Sequence, residues 1–376
     1  MSTYSRIFVY VLACAFAAYG QQPNRLSSRS LLHITMPEDA PLAVLSADWG
    51  ESVATPRGSA MLLDLRTSLT LRNSSNKRIR GVTLLVMAQE VAPGSKASVS
   101  VPSLDVGPGE AFPVRLNLRL LRPADTGDGP LAEVSLDGVL FEDLAFYGPN
   151  RLNSRRSMTH WEMEARRDRR FLKSLLERAG AEGIRSHMKD TLARLGERPK
   201  MDVQLARGRS TNAEPEKNLQ FAFLRMPDEP VRATGGSATV SGAEVSAPQI
   251  DVRNVSNQPV RYLELGWILK DKDGNETYAG AVPGEVNLPV GQRTTIRQQA
   301  TLKLSQRTGK PGSVASMTGF VNHVEFADGR TWIPERAALE DQGLRKTLQP
   351  SAEEQRLADL YRRKGLNAVL DEISRF

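Results

Sequence analysis

The chain has 376 residues, of which 40% are hydrophobic and 25% charged, a composition typical of a soluble globular protein with about two domains. Its formal net charge is +7, and its aromatic content of 6% argues against a surface built from many stacking rings. A single cysteine, Cys14, excludes an internal disulfide.

Residues 1–20 have the pattern of a secretory signal peptide. Arg6 gives a basic start, and the apolar stretch from Ile7 to Ala18 is shorter than the ~20 residues that span a bilayer. Small residues at Ala18 and Gly20 then offer a cleavage site. An uncleaved anchor and a lipidated Cys14 are the alternatives. We expect export to the periplasm or the extracellular space, with a flexible leader over residues 21–30.

Residues 31–149 have the pattern of an all-β domain. Apolar and polar residues alternate from Val114 to Leu120, which predicts a strand with one buried face. Leu69–Leu71 and Val82–Val86 are predicted strands on either side of a polar turn that begins at Asn73. Many short strands separated by turns predict a β-sandwich.

The motifs of this domain return in residues 219–335, which we predict to be a second β-sandwich. Three motifs recur in the same order, and Tyr147 takes the place of Trp332. The pairs are Met36-Pro37 with Met226-Pro227, Arg72-Asn73 with Arg253-Asn254, and Val139-x-Phe141-x-Asp143 with Val324-x-Phe326-x-Asp328. Their spacing is far longer than the ~20–50 residues of a solenoid repeat, so it indicates a duplicated domain.

Each predicted sandwich is followed by helical sequence, over residues 150–199 and 336–376. The first segment has an apolar stripe that Gly180 and Gly183 interrupt, and the second has a capping box at Ser351 and a break at Gly365. We align Gly183 with Gly365. Residues 200–218 are polar and are predicted to be a linker. The predicted fold is therefore mainly β with α, with two tandem immunoglobulin-like sandwiches, each followed by a helical pair.

The run from Asp251 to Gly274 resembles the bacterial extracellular immunoglobulin-like domains of the FxLYD type. The resemblance rests on a strand ending in Arg253-Asn254, a turn at Ser256 to Pro259, an alternating strand and the Asp271-Lys272-Asp273-Gly274 turn. It covers about two dozen residues of each copy. It implies a non-catalytic module of an exported protein and does not identify a ligand.

A basic cluster lies in the stretch 151–200, which carries all of the excess positive charge of the chain. Its candidate contact residues for an anionic partner are Arg166, Arg167, Arg169 and Arg170. The alternative is a solvated helix face, partly paired with Glu162 and Glu164. Trp49 lies in a segment without a counterpart in the second copy, so it is a candidate exposed contact or a plug over the sandwich end.

No motif indicates catalysis. The histidines His33, His160, His187 and His323 lack a metal-ligand spacing, and we interpret His323 and Glu325 as an exposed pair on one strand. We expect no catalytic residue, metal or cofactor and no nucleic-acid partner. The predicted function is binding of a partner, either an envelope protein or an anionic membrane surface. The alternatives are a cell-wall glycan-binding module, which needs exposed aromatic rings, and a cell-wall hydrolase, which needs convergent carboxylates.

Overall fold

The computed structural model describes residues 24–25, 32–48, 50–88, 96–123, 132–197, 201–207, 215–297, 300–306, 312–341 and 343–375. The predicted signal peptide, most of the predicted leader and Trp49 lie outside the described residues. The chain is mainly β with a smaller helical part, as the sequence predicts.

The first unit consists of two sheets. Its strands are β1 (Asn24–Arg25), β2 (Leu32–Thr35), β3 (Leu42–Asp48), β4 (Val53–Arg57), β5 (Ala60–Asn73), β6 (Ile79–Met87), β7 (Lys96–Val101), β8 (Ala111–Pro123), β9 (Ala132–Phe141) and β10 (Phe146–Tyr147). In sheet A, β5 pairs with β3 and β4 on one side and β8 on the other, and β1 pairs with β4. Sheet B has the order β10-β9-β6-β7, with β2 parallel to β9.

Alternating burial joins these two sheets into one sandwich. In β5 the leucines at 63, 65, 69 and 71 are at most 2% exposed and share their face with the buried Thr67, while the even-numbered residues between them are more exposed. They share one hydrophobic cluster with Val82, Leu84 and Val86 of β6. The predicted strand from Val114 to Leu120 is confirmed as part of β8.

The second unit repeats this plan. Its strands are β11 (Met201–Arg207), β12 (Lys217–Gln220), β13 (Ala222–Phe223), β14 (Val231–Ser241), β15 (Glu244–Asn254), β16 (Val260–Lys270), β17 (Glu276–Leu288), β18 (Arg293–Arg297), β19 (Ala300–Gln306), β20 (Ser316–Phe326) and β21 (Thr331–Trp332). In sheet C, β15 lies between β14 and the pair β18 and β19, with β12 and β11 outside. In sheet D the order is β21-β20-β16-β17, with β13 parallel to β20.

Sheets B and D have the same connectivity, and their equivalent residues lie in the same register. Val86 lies opposite Val134 in sheet B, and Trp267 lies opposite Gly319 in sheet D. The aromatic residues near the end of each sheet correspond as well: Tyr147 lies opposite Val139, and Trp332 lies opposite Val324. The strand pairing therefore supports the duplication inferred from the repeated motifs.

A buried asparagine organises the same turn in both units. Asn73 and Asn254 are both 0% exposed. The Asn73 side-chain amide donates to the carbonyl oxygen of Lys77 at 2.8 Å, and Asn254 donates to that of Gln258 at 2.7 Å. The side-chain oxygen of each accepts from the backbone N–H of the serine two residues later, at 3.0 and 2.9 Å. The repeated Arg-Asn motif therefore has a structural function.

The helices are α1 (Ser154–Gly196), α2 (Arg336–Asp341), α3 (Ala352–Lys364) and α4 (Leu366–Ile373), and Leu344–Lys346 form a short 3-10 helix. Helix α1 is kinked at Gly180, whose φ of 62° lies in the left-handed region that favours glycine. Gly365 separates α3 from α4 with a φ of 80°. Gly180 is therefore the structural equivalent of Gly365, because both have a positive φ at a break between helices. Gly183 lies within the helix, so our alignment of Gly183 with Gly365 was wrong.

The two helical segments pack on each other. The sets Leu172, Ile184 and Met188 of α1, and Leu357, Val369 and Ile373 of α3 and α4, are all 0% exposed and form one cluster. The same sequence interval relates each residue of the first set to its counterpart in the second. The apolar stripe of one copy therefore covers the stripe of the other.

The first half of α1 lies across the outer face of sheet B. A Cβ atom at Gly81 would lie 2.9 Å from the Met158 sulfur, and one at Gly138 would lie 3.0 Å from the Ser154 hydroxyl. Glycine at these two strand positions lets the helix approach the sheet closely. The opposite side of the same helix faces the outer side of sheet D, where it forms the cleft described below.

Two predicted boundaries differ from the structure. Within the stretch predicted to be a linker, Met201–Arg207 forms β11 and pairs with β19 along its whole length. Its backbone N–H and C=O groups are satisfied by pairing with β19. The polar composition of the segment alone does not show that this pairing occurs. Asn24–Arg25 of the predicted leader pairs with β4.

Candidate functional site

Two of the four arginines proposed to contact an anionic partner are buried. Arg167 is 6% exposed and Arg169 is 8% exposed, so neither the predicted exposed contact with an anionic partner nor its alternative, a solvated helix face, describes these two side chains. Arg167 pairs with Asp168 at 3.2 Å, and Arg169 pairs with Glu353 and Glu162, both at 3.1 Å. Their partners come from a distant helix as well as from α1, which the sequence pattern of one helix cannot show.

Arg167 belongs, through Asp168 and Arg336, to a buried ion-pair network centred on Glu354. Arg336 lies 2.8 Å from Glu354, His187 lies 3.3 Å from it, and Arg194 lies 3.4 Å from it. Burial raises the pKa of Glu354, but hydrogen bonds from His187 and Arg336 outweigh burial and hold the pKa well below its usual range. Glu354 also completes the predicted capping box with Ser351. The network therefore fixes α3 against α1.

The exposed members of the basic cluster line a concave surface, the basic cleft, of about 950 Å³. Among the described residues it is lined by the cationic Arg78, Arg80, Arg166, Arg169, Arg170, Lys173 and Arg375 and by the acidic Asp105, Glu110, Glu142 and Glu162. Arg166 and Arg170 are thus brought together with cations of the first sandwich and of the C-terminus. Arg167 faces the other side of α1.

A second concavity, the junction cleft, lies on that other side and has a volume of about 640 Å³. It opens where the second copy departs from the first: α1 is continuous at the corresponding positions, 156–167, but the equivalent helix ends at Asp341 and resumes at Ala352. Gly343, with a φ of 68°, and Pro350 both disfavour a continuous helix here. The interrupting segment, including Arg345 and Gln349, forms one wall of the cleft.

Helix α1 and sheet D form the other walls. Arg156, His160, Glu164 and Arg167 follow one another at helical spacing along α1. Sheet D contributes Tyr262, Glu264, Tyr278, Asn322 and His323 from its outer face. Glu264 accepts a hydrogen bond from the Tyr262 hydroxyl at 3.0 Å and another from the Asn322 amide at 2.8 Å.

The imidazoles of His160 and His323 meet in this cleft, with ring centroids 4.7 Å apart. His323 is only 1% exposed, and burial lowers its pKa to about 3. Burial lowers the pKa of His160 as well. Both rings are therefore neutral near pH 7. Among the described residues, the Nδ1 of His160 and the Nε2 of His323 have no hydrogen-bond partner.

Glu164 lies beside the histidine pair. Its carboxyl group is 3.7 Å from His160 and 3.7 Å from Arg167, and it makes no hydrogen bond with any residue the structure describes. Burial raises the pKa of Glu164 to about 7. The group therefore exchanges its proton at physiological pH, when it can act as donor or as acceptor.

Sequence patterns did not reveal the junction cleft, because its residues come from α1, from three strands of sheet D, from the segment around the helix break and, at Ser100 and Pro102, from the first sandwich. The prediction that His323 and Glu325 form an exposed pair was wrong. Both residues are buried, and Glu325 pairs with Arg156 at 2.9 Å. One sequence signal could have indicated the cleft: the helical pattern is lost between Asp341 and Ser351, whereas it continues at the corresponding positions of the first copy. No group of three His, Cys, Asp or Glu side chains in the described part of the chain has the geometry of a metal site.

None of the helices within the described ranges combines the length and the apolar character needed to cross a membrane.

No family model matches the sequence, and no curated protein matches it. Among solved structures, red sea bream transglutaminase is similar at 10% identity over 78% of this chain and 31% of that chain, with a TM-score of 0.13. A β-glucosidase from Kluyveromyces marxianus is similar at 8% identity over 70% of this chain and 45% of that chain, with a TM-score of 0.16. The chain therefore spans less than half the length of either protein.

Proposed function

We propose that the protein is an exported, non-catalytic binding protein and that its basic cleft receives acidic side chains of a partner protein of the envelope. The observation that carries the proposal is the convergence of cations from three separate parts of the chain. Arg78 and Arg80 come from the first sandwich, Arg170 from α1 and Arg375 from the C-terminus. The resemblance to non-catalytic immunoglobulin-like modules of exported proteins is in keeping with this role.

The charge balance of the cleft favours an anion. Cationic residues outnumber the carboxylates that line it. Arg78 and Arg80 pair closely with Asp105, at 2.9 and 2.6 Å, whereas Arg170 is only weakly paired. The Arg170 side chain is 63% exposed and its carboxylate partner, Glu335, lies 3.7 Å away and is 73% exposed. Such exposed pairs contribute ~0–1 kcal/mol, so a partner's carboxylate can replace Glu335 at little cost.

The shape of the cleft favours a protein partner over a membrane. A flat headgroup layer contacts a convex or planar surface, whereas a concave cleft of about 950 Å³ receives projecting side chains. Asp105 and Glu110 also line the cleft and would repel an extended anionic layer. Complementary charge at such a surface sets the partner and the association rate more than the affinity.

The experiment is fluorescence anisotropy of a labelled oligo-glutamate peptide with the Arg170→Gln/Lys173→Gln variant. We expect about 30-fold weaker binding, since each of the two exposed charges removed costs on the order of 1 kcal/mol at contact distance. Binding should also weaken with added salt, because exposed charges are screened beyond ~8–10 Å.

The matched control is Arg178→Gln/Arg185→Gln, which removes the same charge from exposed positions of α1 outside the cleft. We expect this variant to bind like the unmodified protein. An equal loss of peptide affinity in both variants would show that binding depends only on the net charge of the protein, and would contradict a specific site in the cleft. Binding to phosphatidylglycerol vesicles, but not to the peptide, would assign the cleft to a membrane surface instead.

A further inference from the structure

The junction cleft keeps hydrogen-bonding groups that the protein itself does not satisfy. The arginines around it are already paired: Arg156 lies 2.6 Å from Glu285, Arg336 lies 2.8 Å from Glu354, and Arg345 lies 2.7 Å from Asp190. Their charge is therefore neutralised within the protein. An anionic ligand would also meet the carboxyl groups of Glu164 and Glu264.

The unsatisfied groups include both donors and acceptors. A neutral imidazole carries one N–H donor and one acceptor nitrogen, and His160 and His323 each have a buried ring nitrogen without a partner among the described residues. Buried polar atoms such as these two ring nitrogens are normally satisfied by water or by a ligand. The partly exposed carboxyl group of Glu164 lies beside them, 3.7 Å from His160, and can donate or accept at the same place. A ligand that complements them must donate and accept at neighbouring atoms, which is the property of a hydroxyl group.

Aromatic rings supply the apolar part of the cleft. Trp161 and Tyr278 line it and are partly exposed, and Tyr262 is held beneath the Arg156 guanidinium at 3.9 Å from its ring centroid. A site with flat apolar faces and a few fixed polar groups is typical of small-molecule binding, and the volume of about 640 Å³ lies within the ~300–1,000 Å³ of such sites.

We infer that the junction cleft binds a neutral saccharide, one or two pyranose rings long, through hydrogen bonds to His160, His323 and Glu164 and through contact with Tyr278. The hydroxyl groups of a pyranose donate and accept at adjacent carbons, as the cleft requires. Its C–H faces are apolar and match the aromatic rings. This site is separate from the basic cleft, which lies on the opposite side of α1, and it does not depend on an acidic partner.

The test is isothermal titration calorimetry of the full chain with two neutral disaccharides, cellobiose and N,N′-diacetylchitobiose, and with inorganic phosphate as the anionic probe. We expect at least one disaccharide to bind with millimolar or tighter affinity and phosphate to give no binding heat at this cleft. Tyr278→Ala and Glu164→Gln should each weaken disaccharide binding by about fivefold or more, a loss of ~1 kcal/mol.

The matched control for Glu164→Gln is Glu182→Gln, which changes an exposed carboxylate of the same helix and should leave the affinity unchanged. Melting temperatures that do not fall below that of the unmodified protein would separate lost contacts from lost folding. The inference is overturned if neither disaccharide binds at millimolar concentration. It is also overturned if phosphate binds and Glu164→Gln strengthens that binding, because the cleft would then be an anion site.

Discussion

Burial acts in opposite directions on the two kinds of titrating residue in the junction cleft. It raises the pKa of Glu164 from 4.5 to about 7 and lowers the pKa of His323 from 6.5 to about 3. Folded Glu164 binds its proton more tightly than it does in the unfolded chain, so its contribution to stability is complete below pH 4.5 and is lost as the pH rises through about 7. The contribution of His323 is complete above pH 6.5 and is lost as the pH falls toward 3.

Glu164→Gln should therefore stabilise the protein at alkaline pH and have little effect in acid. The expected gain in the free energy of unfolding is on the order of 1–3 kcal/mol at about pH 8 and near zero at about pH 5. Urea unfolding at the two pH values measures it, and Glu182→Gln serves as the exposed control. A stability change that is the same at both pH values would refute this account of Glu164.

Asn73 and Asn254 should have equal importance for their two units. Replacing Asn254 with Ala removes the side-chain donor to the carbonyl oxygen of Leu288 and one of the two side-chain donors to that of Gln258, which also accepts from Ser256. An unsatisfied buried group costs ~1–3 kcal/mol. We expect Asn73→Ala and Asn254→Ala to lower the free energy of unfolding by similar amounts. Asn117→Ala, at an exposed position of β8, is the control. A large loss for one asparagine and none for the other would contradict the equivalence.

At the scale of elements, sequence patterns predicted strands and helix ends well where the signal is local. The alternation of Val114 to Leu120 and the capping box at Ser351 depend on a few neighbouring residues, and both are present. The strand Met201–Arg207 lacks such a signal, because pairing with the distant β19 decides it. Helix α1 was recognised from its apolar stripe, but the partners of Arg167 and Arg169 were not.

The packing of α4 on α1 should contribute strongly to stability. Ile373 is 0% exposed and contacts the cluster that includes Ile184 and Met188. Ile373→Ala should lower the free energy of unfolding by ~2–5 kcal/mol, because it removes buried methyl groups and leaves a cavity. Thermal or urea unfolding measures the loss, with Asn367→Ala on the exposed side of α4 as control. A loss no larger than that of the control would show that α4 does not stabilise the isolated protein.

At the scale of the whole molecule, the repeated motifs predicted two similar units, and they have equivalent sheets and registers. Repetition made the two units easy to predict from the sequence, but it gave no information about the candidate sites. Repetition identifies what the copies share, whereas the junction cleft arises from a difference between them, the helix break between Asp341 and Ala352. The basic cleft likewise combines residues as distant as Arg78 and Arg375.

The mutual covering of the two helical segments has a consequence for the order of folding. The first sandwich contains its own core and can form as soon as its strands are synthesised. Leu172 and Ile184 must wait for Leu357 and Ile373, because the residues that cover them are made much later. Closing so long a loop is slow relative to local contacts. A nascent chain therefore presents an uncovered apolar helix from the synthesis of α1 until that of α3 and α4, and this is the period in which a chaperone has the most to shield.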